Sequence, residues 1–147
     1  MDLRLEVVVI PVADVDRSKA FYAGLGFRVD ADFRTDKGLR VVQVTPPGSA
    51  ASIIFGEKLT TAAPGSVDGL HLVTADIAGA REELRARGAE VSELWHDADG
   101  IFHWAGDANR VPGAHPATDS YGTYASFADP DGNSWTVQQI VTRAPGR

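Results

Sequence analysis

The chain has 147 residues, 44% apolar and 23% charged, with a formal net charge of −6. That is enough for one domain with a single sizeable core, and no apolar run is long enough to span a bilayer. The acidic balance speaks against nucleic acid and membranes as partners, and the absence of cysteine excludes disulfides, a thiolate nucleophile and Cys-ligated zinc.

The N-terminus, Met1-Asp2-Leu3-Arg4, carries no signal-peptide pattern, so a cytoplasmic location is expected. Residues 3–12 are rich in Val and Ile and read as a strand, with Pro11 near its end, where the ladder can spare a donor. Asp14 or Asp16 caps a helix running to about Leu25, with Phe21 and Leu25 on one face, and Gly26 stands where a left-handed residue closes it. Residues 27–32, 39–45 and 51–55 read as three strands, the last two joined by a Pro46-Pro47-Gly48 turn. The first half is therefore β-α-β-β-β.

The second half repeats it. Val12-Ala13-Asp14-Val15 aligns with Thr74-Ala75-Asp76-Ile77, Gly26 with Gly88 and Val29 with Val91, at an offset of about 62 residues. Asp76 caps a second helix whose buried stripe is Ile77, Ala80 and Leu84. Further on, Pro46 aligns with Pro130, Gly48 with Gly132 and Ser52 with Thr136, at an offset of about 84. The second module therefore carries a long inserted loop, about residues 96–119, and Phe102 and Trp104 within it favour an ordered flap over a disordered excursion. A dimer contact is the other use such a loop could have.

The last recognisable element is a hairpin over residues 127–140. Its centre, Asp129-Pro130-Asp131-Gly132-Asn133, is a tight turn in which the two aspartates are turn formers rather than a catalytic pair. On its second strand Ser134, Thr136 and Gln138 share one face, while Trp135 and Val137 point to the other, between sheet and helix. Residues 142–147 have the composition of a frayed terminus.

Together, the Asp-Val-Asp-Arg-Ser helix start with Phe-Tyr and Leu-Gly-Phe, the repeated module and the closing Asp-Pro-Asp-Gly-Asn hairpin resemble the vicinal oxygen chelate superfamily of glyoxalases, bleomycin-resistance proteins and extradiol dioxygenases. The resemblance implies an α+β domain spanning residues 1–147. Its two βαβββ modules, about residues 1–58 and 68–142, would curl into an eight-stranded mixed-sheet cup with the helices outside. In metal-dependent members four strand positions place His or Glu in the cup. Carried over, those positions are Val7, Ser52, Gly69 and Thr136, and none is a useful ligand for a divalent metal. No metal and no cofactor are expected.

His71, two residues after Gly69 and so on its face, is the candidate general base or ligand contact; the alternative is a core histidine bonded to a neighbouring strand. Gln138, Thr136 and Ser52 read as an uncharged polar wall, and Val7 and Gly69 as lining. Trp104 is the preferred stacking surface, ahead of Trp95, Tyr121 and Tyr124. His96, His103 and His115 with Asp97 or Asp99 match no zinc spacing. The resulting expectation is a metal-independent protein that binds a small hydrophobic or aromatic molecule, as in drug resistance, with a possible homodimer. The alternatives are a metal-independent lyase or isomerase with His71 as base, or a glyoxalase-like metalloenzyme.

Overall fold

A computed structural model describes residues 1–147, which fall into two units: Met1–Asp68 with Asp129–Asn133, and Gly69–Ala128 with Ser134–Arg147. The first contains β1 (Val7–Val9), α1 (Val15–Gly24), β2 (Arg28–Arg34), β3 (Arg40–Thr45) and β4 (Ser52–Glu57), in the expected β-α-β-β-β order. Its sheet runs β1-β4-β3-β2, with β1 parallel to β4 and the other pairs antiparallel. Asp14 rather than Asp16 is the cap, its carboxylate accepting from Arg17 N at 3.0 Å.

β1 is shorter than residues 3–12. It lies at the sheet edge with only β4 beside it, and the ladder bond from Ser52 N to Glu6 O comes at the very start of that partner. Earlier residues have no strand opposite them. One face of the sheet, with Val42, Val44 and Phe55, closes on Tyr22 of α1. Arg40 is buried on this side and is held by Asp32 through two bonds of 2.9 Å and by Asp16 at 2.8 Å. Arg40, then Lys19, hydrogen-bonds Asp32 and holds its carboxyl well below the usual range.

The turn Asp129–Asn133 belongs to this unit and is built as a polar knot. Asp129 Oδ1 accepts from Asp131 N and Asn133 N, while its Oδ2 accepts from Tyr22 Oη at 2.9 Å and Asn133 Nδ2 at 2.8 Å. Asn133, fully buried, also donates to Pro11 O and accepts from Val67 N. Asp131 accepts from Ala13 N and pairs with Arg17. The aspartates form the turn, as their spacing implies, and tie it to the start of α1 as well.

The second unit contains β5 (Leu70–Thr74), α2 (Ile77–Ala86), β6 (Trp95–Asp97), β7 (Arg110–Pro112), β8 (Ser120–Ala128) and β9 (Ser134–Ile140). Its order is β5-β9-β8-β6-β7, with β5 parallel to β9. The module is repeated with one strand added, since β7 comes from the stretch read as a loop and pairs with β6. Asp76 caps α2 by accepting from Gly79 N, and Ile77 is its one fully buried apolar residue; Ala80 and Leu84 are half-buried.

The terminus is not frayed. Ser120 Oγ accepts from Val141 N and Thr142 N, and Tyr121 Oη accepts from Ala144 N at 2.7 Å. Composition misses this because the anchors are side chains of β8, remote in sequence.

Asn133→Ala leaves Pro11 O, Val67 N and part of Asp129 without partners in a buried site, so urea denaturation should show a loss of about 3 kcal/mol with an unchanged m-value; a loss under about 1 kcal/mol would contradict the knot's role. Asp32, depressed by Arg40 and Lys19, contributes stability that is complete above its unfolded value of 3.8 and is lost as pH falls from there through the folded value. Asp32→Asn should therefore be less stable than wild type at pH 7, with the gap narrowing in acid titrations below pH 3.8.

Candidate functional site

Pairing fixes which side chains share a face in the second unit. His71 lies opposite Thr136, Val73 opposite Gln138, and Tyr124 opposite both Gln138 and Trp95. Directly opposed residues point the same way, so these side chains share one surface. The other surface, with Trp135, Val137 and Phe127, is buried, and Gln139 on it accepts from Ile77 N of α2. Trp135 and Phe127 stack there with ring centroids 6.0 Å apart.

The functional surface rests on three stacked groups. The Arg110 guanidinium lies 3.9 Å from the Trp95 ring, and Trp95 stacks on Tyr124 at 4.6 Å with an interplanar angle of 22°. Tyr124 donates its hydroxyl to Ile101 O and accepts from Gln138 Nε2 at 3.2 Å. Burial, with a smaller contribution from the Asp97 charge, raises its pKa against the opposing Gln138 bond, so the phenol stays protonated and available as a donor. Through that donor the segment around Ile101 is held over the sheet.

β8 carries an irregularity between Ser120 and Tyr124, and within it Tyr121 has a φ of 71°. Such bulges re-aim side chains at the edges of sites. Here the carbonyl of Tyr121 accepts from Gln138 Nε2 at 2.8 Å, and its hydroxyl holds the terminal segment at Ala144. Gln138 thus spends both amide hydrogens on positioning Tyr121 and Tyr124.

Above this floor lies a cavity of about 640 Å³, within the range of small-molecule sites. His71, Tyr124 and Gln138 line it from the sheet, Phe102 and His103 from the segment after β6, and Arg143 and Arg147 from the terminus. The His71 ring lies 6.0 Å from His103 and 6.3 Å from Tyr124, retains a solvent-exposed edge, and makes no hydrogen bond. Burial, then the charge of His103, pushes its pKa below the ordinary 6.5, which favours a neutral imidazole at pH 7. Another depression of similar volume, beside Arg85, Glu90 and Ser92, presents no aromatic or imidazole group.

Of the residues expected from sequence, His71 and Gln138 line the cavity. Thr136 is buried in the sheet between His71 and Ser126 and is not part of the lining. Trp104 is 61% exposed and also lies outside it, whereas its neighbours Phe102 and His103 are inside. Gly69 precedes β5 with φ +81°, its N–H donating to Ser134 Oγ at 2.9 Å. Val7 and Ser52 are register partners in the first unit, where Ser52 Oγ lies 2.7 Å from Thr45 Oγ1 and accepts from Gln43 Nε2 at 3.2 Å.

Taken singly, none of these groups is a useful ligand for a divalent metal: Val7 offers an alkyl group, Gly69 no side chain, and Ser52 Oγ is engaged by neutral neighbours. No three His, Asp or Glu side chains come together to hold an ion elsewhere. The loop histidines divide, His96 meeting His115 at 5.6 Å while His103 faces Trp95 and Tyr124.

The sequence matches the Glyoxalase/Bleomycin resistance protein/Dioxygenase superfamily over residues 4–137, and the chain belongs to that superfamily. Among solved structures it is similar to TnmS3, an antibiotic binding protein from Streptomyces sp. CB03234, with 29% identity, a TM-score of 0.66, and coverage of 95% of this chain and 97% of that one. A glyoxalase/bleomycin resistance protein from the same strain is 30% identical with a TM-score of 0.63, covering 92% of this chain and 100% of the other. A superfamily member from Sphaerobacter thermophilus DSM 20745, at 24% identity, 94% and 98% coverage and a TM-score of 0.66, shares the fold. Among curated protein sequences none matches.

Because His103 contributes to the depression at His71, His103→Gln should move the His71 midpoint in an NMR titration upward while leaving it below 6.5, since burial persists. A midpoint that stays put or falls would mean that the two rings are not electrostatically coupled.

Proposed function

We propose that this protein binds a small, mainly apolar aromatic molecule in the cavity above Tyr124, without a metal ion, and acts by sequestering it, as a drug-resistance protein would. The carrying observation is the cavity itself, whose floor is a stack of rings and whose polar groups are few and neutral at their centre. Phe102, His103 and His71 supply ring surfaces, and the free carbonyl oxygen of Gln138 supplies one acceptor. TnmS3, similar in fold and sequence over nearly its whole length, is described as an antibiotic binding protein, which supports this reading. The unsuitable donor set at Val7, Ser52, Gly69 and Thr136 argues against a metal-dependent glyoxalase reaction.

A second reading has its own support. His71 is held below its ordinary pKa on a cavity wall with no hydrogen-bond partner, which suits a general base in a metal-independent lyase or isomerase. The base would take a proton from a carbon acid bound over Tyr124 and return it at the same or a neighbouring atom. His71→Ala separates the two readings: it abolishes turnover under the second and only weakens binding under the first.

Trp95 meets the His103 ring edge-on at 5.4 Å, and His103 lines the cavity, so a ligand seated against His103 should quench Trp95 fluorescence. Titration with planar polycyclic aromatics should give saturable quenching. Phe102 is 83% exposed, so Phe102→Ser should spare the fold and weaken binding roughly fivefold, the equivalent of about 1 kcal/mol of lost ring contact. Absence of saturable quenching across the series, or full affinity in Phe102→Ser, would remove this cavity as the site.

A further inference from the structure

Eleven arginines are present, and all but three are neutralised. Each one from Arg4 to Arg87 is in an ion pair with Asp or Glu: Arg4, Arg17, Arg28, Arg34, Arg40, Arg81, Arg85 and Arg87. Arg110 is spent under the Trp95 ring. Arg143 and Arg147 have no carboxylate partner, and both line the cavity. In a chain of net charge −6, the two guanidinium groups with neither a carboxylate nor a ring partner stand at the mouth of the aromatic site.

The placement is built. Ser120 Oγ and Tyr121 Oη accept from the backbone N–H groups of Val141, Thr142 and Ala144, which bracket Arg143. Tyr121 can do so because the β8 irregularity puts it at positive φ and Gln138 holds its carbonyl. No Asp or Glu side chain lines the cavity. The Asp97 charge acts on Tyr124, and Asp97 Oδ1 is occupied by Asp99 N and Asn109 Nδ2. His71 is biased towards the neutral form, so the arginines, not the imidazole, carry the positive charge at neutral pH.

Resting on the cavity as the binding site, we infer that the ligand is an aromatic anion. Its ring system lies against Phe102, His103 and His71, and a carboxylate or another acidic group points outward to Arg143, with Arg147 beside it. Guanidinium groups suit such an acid because they offer paired N–H donors and remain charged at every accessible pH. The site would thereby discriminate by charge between otherwise similar flat molecules.

The test uses the full chain and isosteric probes: 2-naphthoate and naphthalene-2-sulfonate against neutral 2-naphthamide, followed by calorimetry at pH 7.5 and low salt. The anions should bind roughly tenfold more tightly than the amide, the advantage shrinking as salt is raised because the guanidinium groups are solvent-exposed. In Arg143→Gln/Arg147→Gln the ratio of anion to amide affinity should fall to about one, whatever the amide affinity itself does. The carboxylate and sulfonate arms identify which acid is preferred. Equal binding of amide and anions, or an advantage that survives in the double variant, overturns the inference while leaving aromatic binding intact. If neither amide nor anion binds, the cavity is not the site and both readings fall.

Discussion

The second unit depends on a vertical stack in which Arg110, Trp95 and Tyr124 lie face to face. Each member comes from a different strand, β7, β6 and β8, so the stack clamps the short outer strands onto the longer one. β6 pairs with β8 only at Trp95 and Tyr124, and backbone bonding alone would leave that joint weak. The rings supply what the ladder lacks, since aromatic and cation–π contacts add to the area they bury. The top of the stack then does two further things. Its hydroxyl fixes Ile101, and its ring supports His103 and His71, which line the cavity.

The proposed reading needs none of the ligands that the resemblance assigns to metal-dependent members: at the positions carried over, Val7 offers an alkyl group, Ser52 and Thr136 hydroxyls, and Gly69 no side chain. Ser52 is absorbed into a local hydroxyl and amide network. Thr136 is packed into the sheet. On the proposed reading, recognition falls to shape, ring contacts and a few hydrogen bonds, with charge confined to the rim.

The fold was legible because its punctuation is local. Asp14 and Asp76 cap helices by bonding backbone N–H groups three residues on, and the Asp129–Asn133 turn closes on its own side chains, so short motifs suffice to reveal them. The site was legible only in part. His71 and Gln138 follow from alternation on strands that the repeat identifies. Tyr124 was one of several aromatic possibilities because the expected hairpin began at residue 127, whereas β8 carries its register unbroken back to Tyr124 opposite Gln138. Trp104 drew attention by size, yet the turn it occupies presents Phe102 and His103 to the cavity instead. Arg143 was hidden in a stretch whose composition resembles a loose end, because its anchors, Ser120 and Tyr121, are more than twenty residues away.

The most direct test of this account is a crystal structure of the protein soaked with 2-naphthoate. The account predicts the naphthalene ring in van der Waals contact with Phe102, His103 and His71, and no metal ion between ligand and protein. Density for the ligand elsewhere, or held by an ion bound near Gly69 and Thr136, would contradict it.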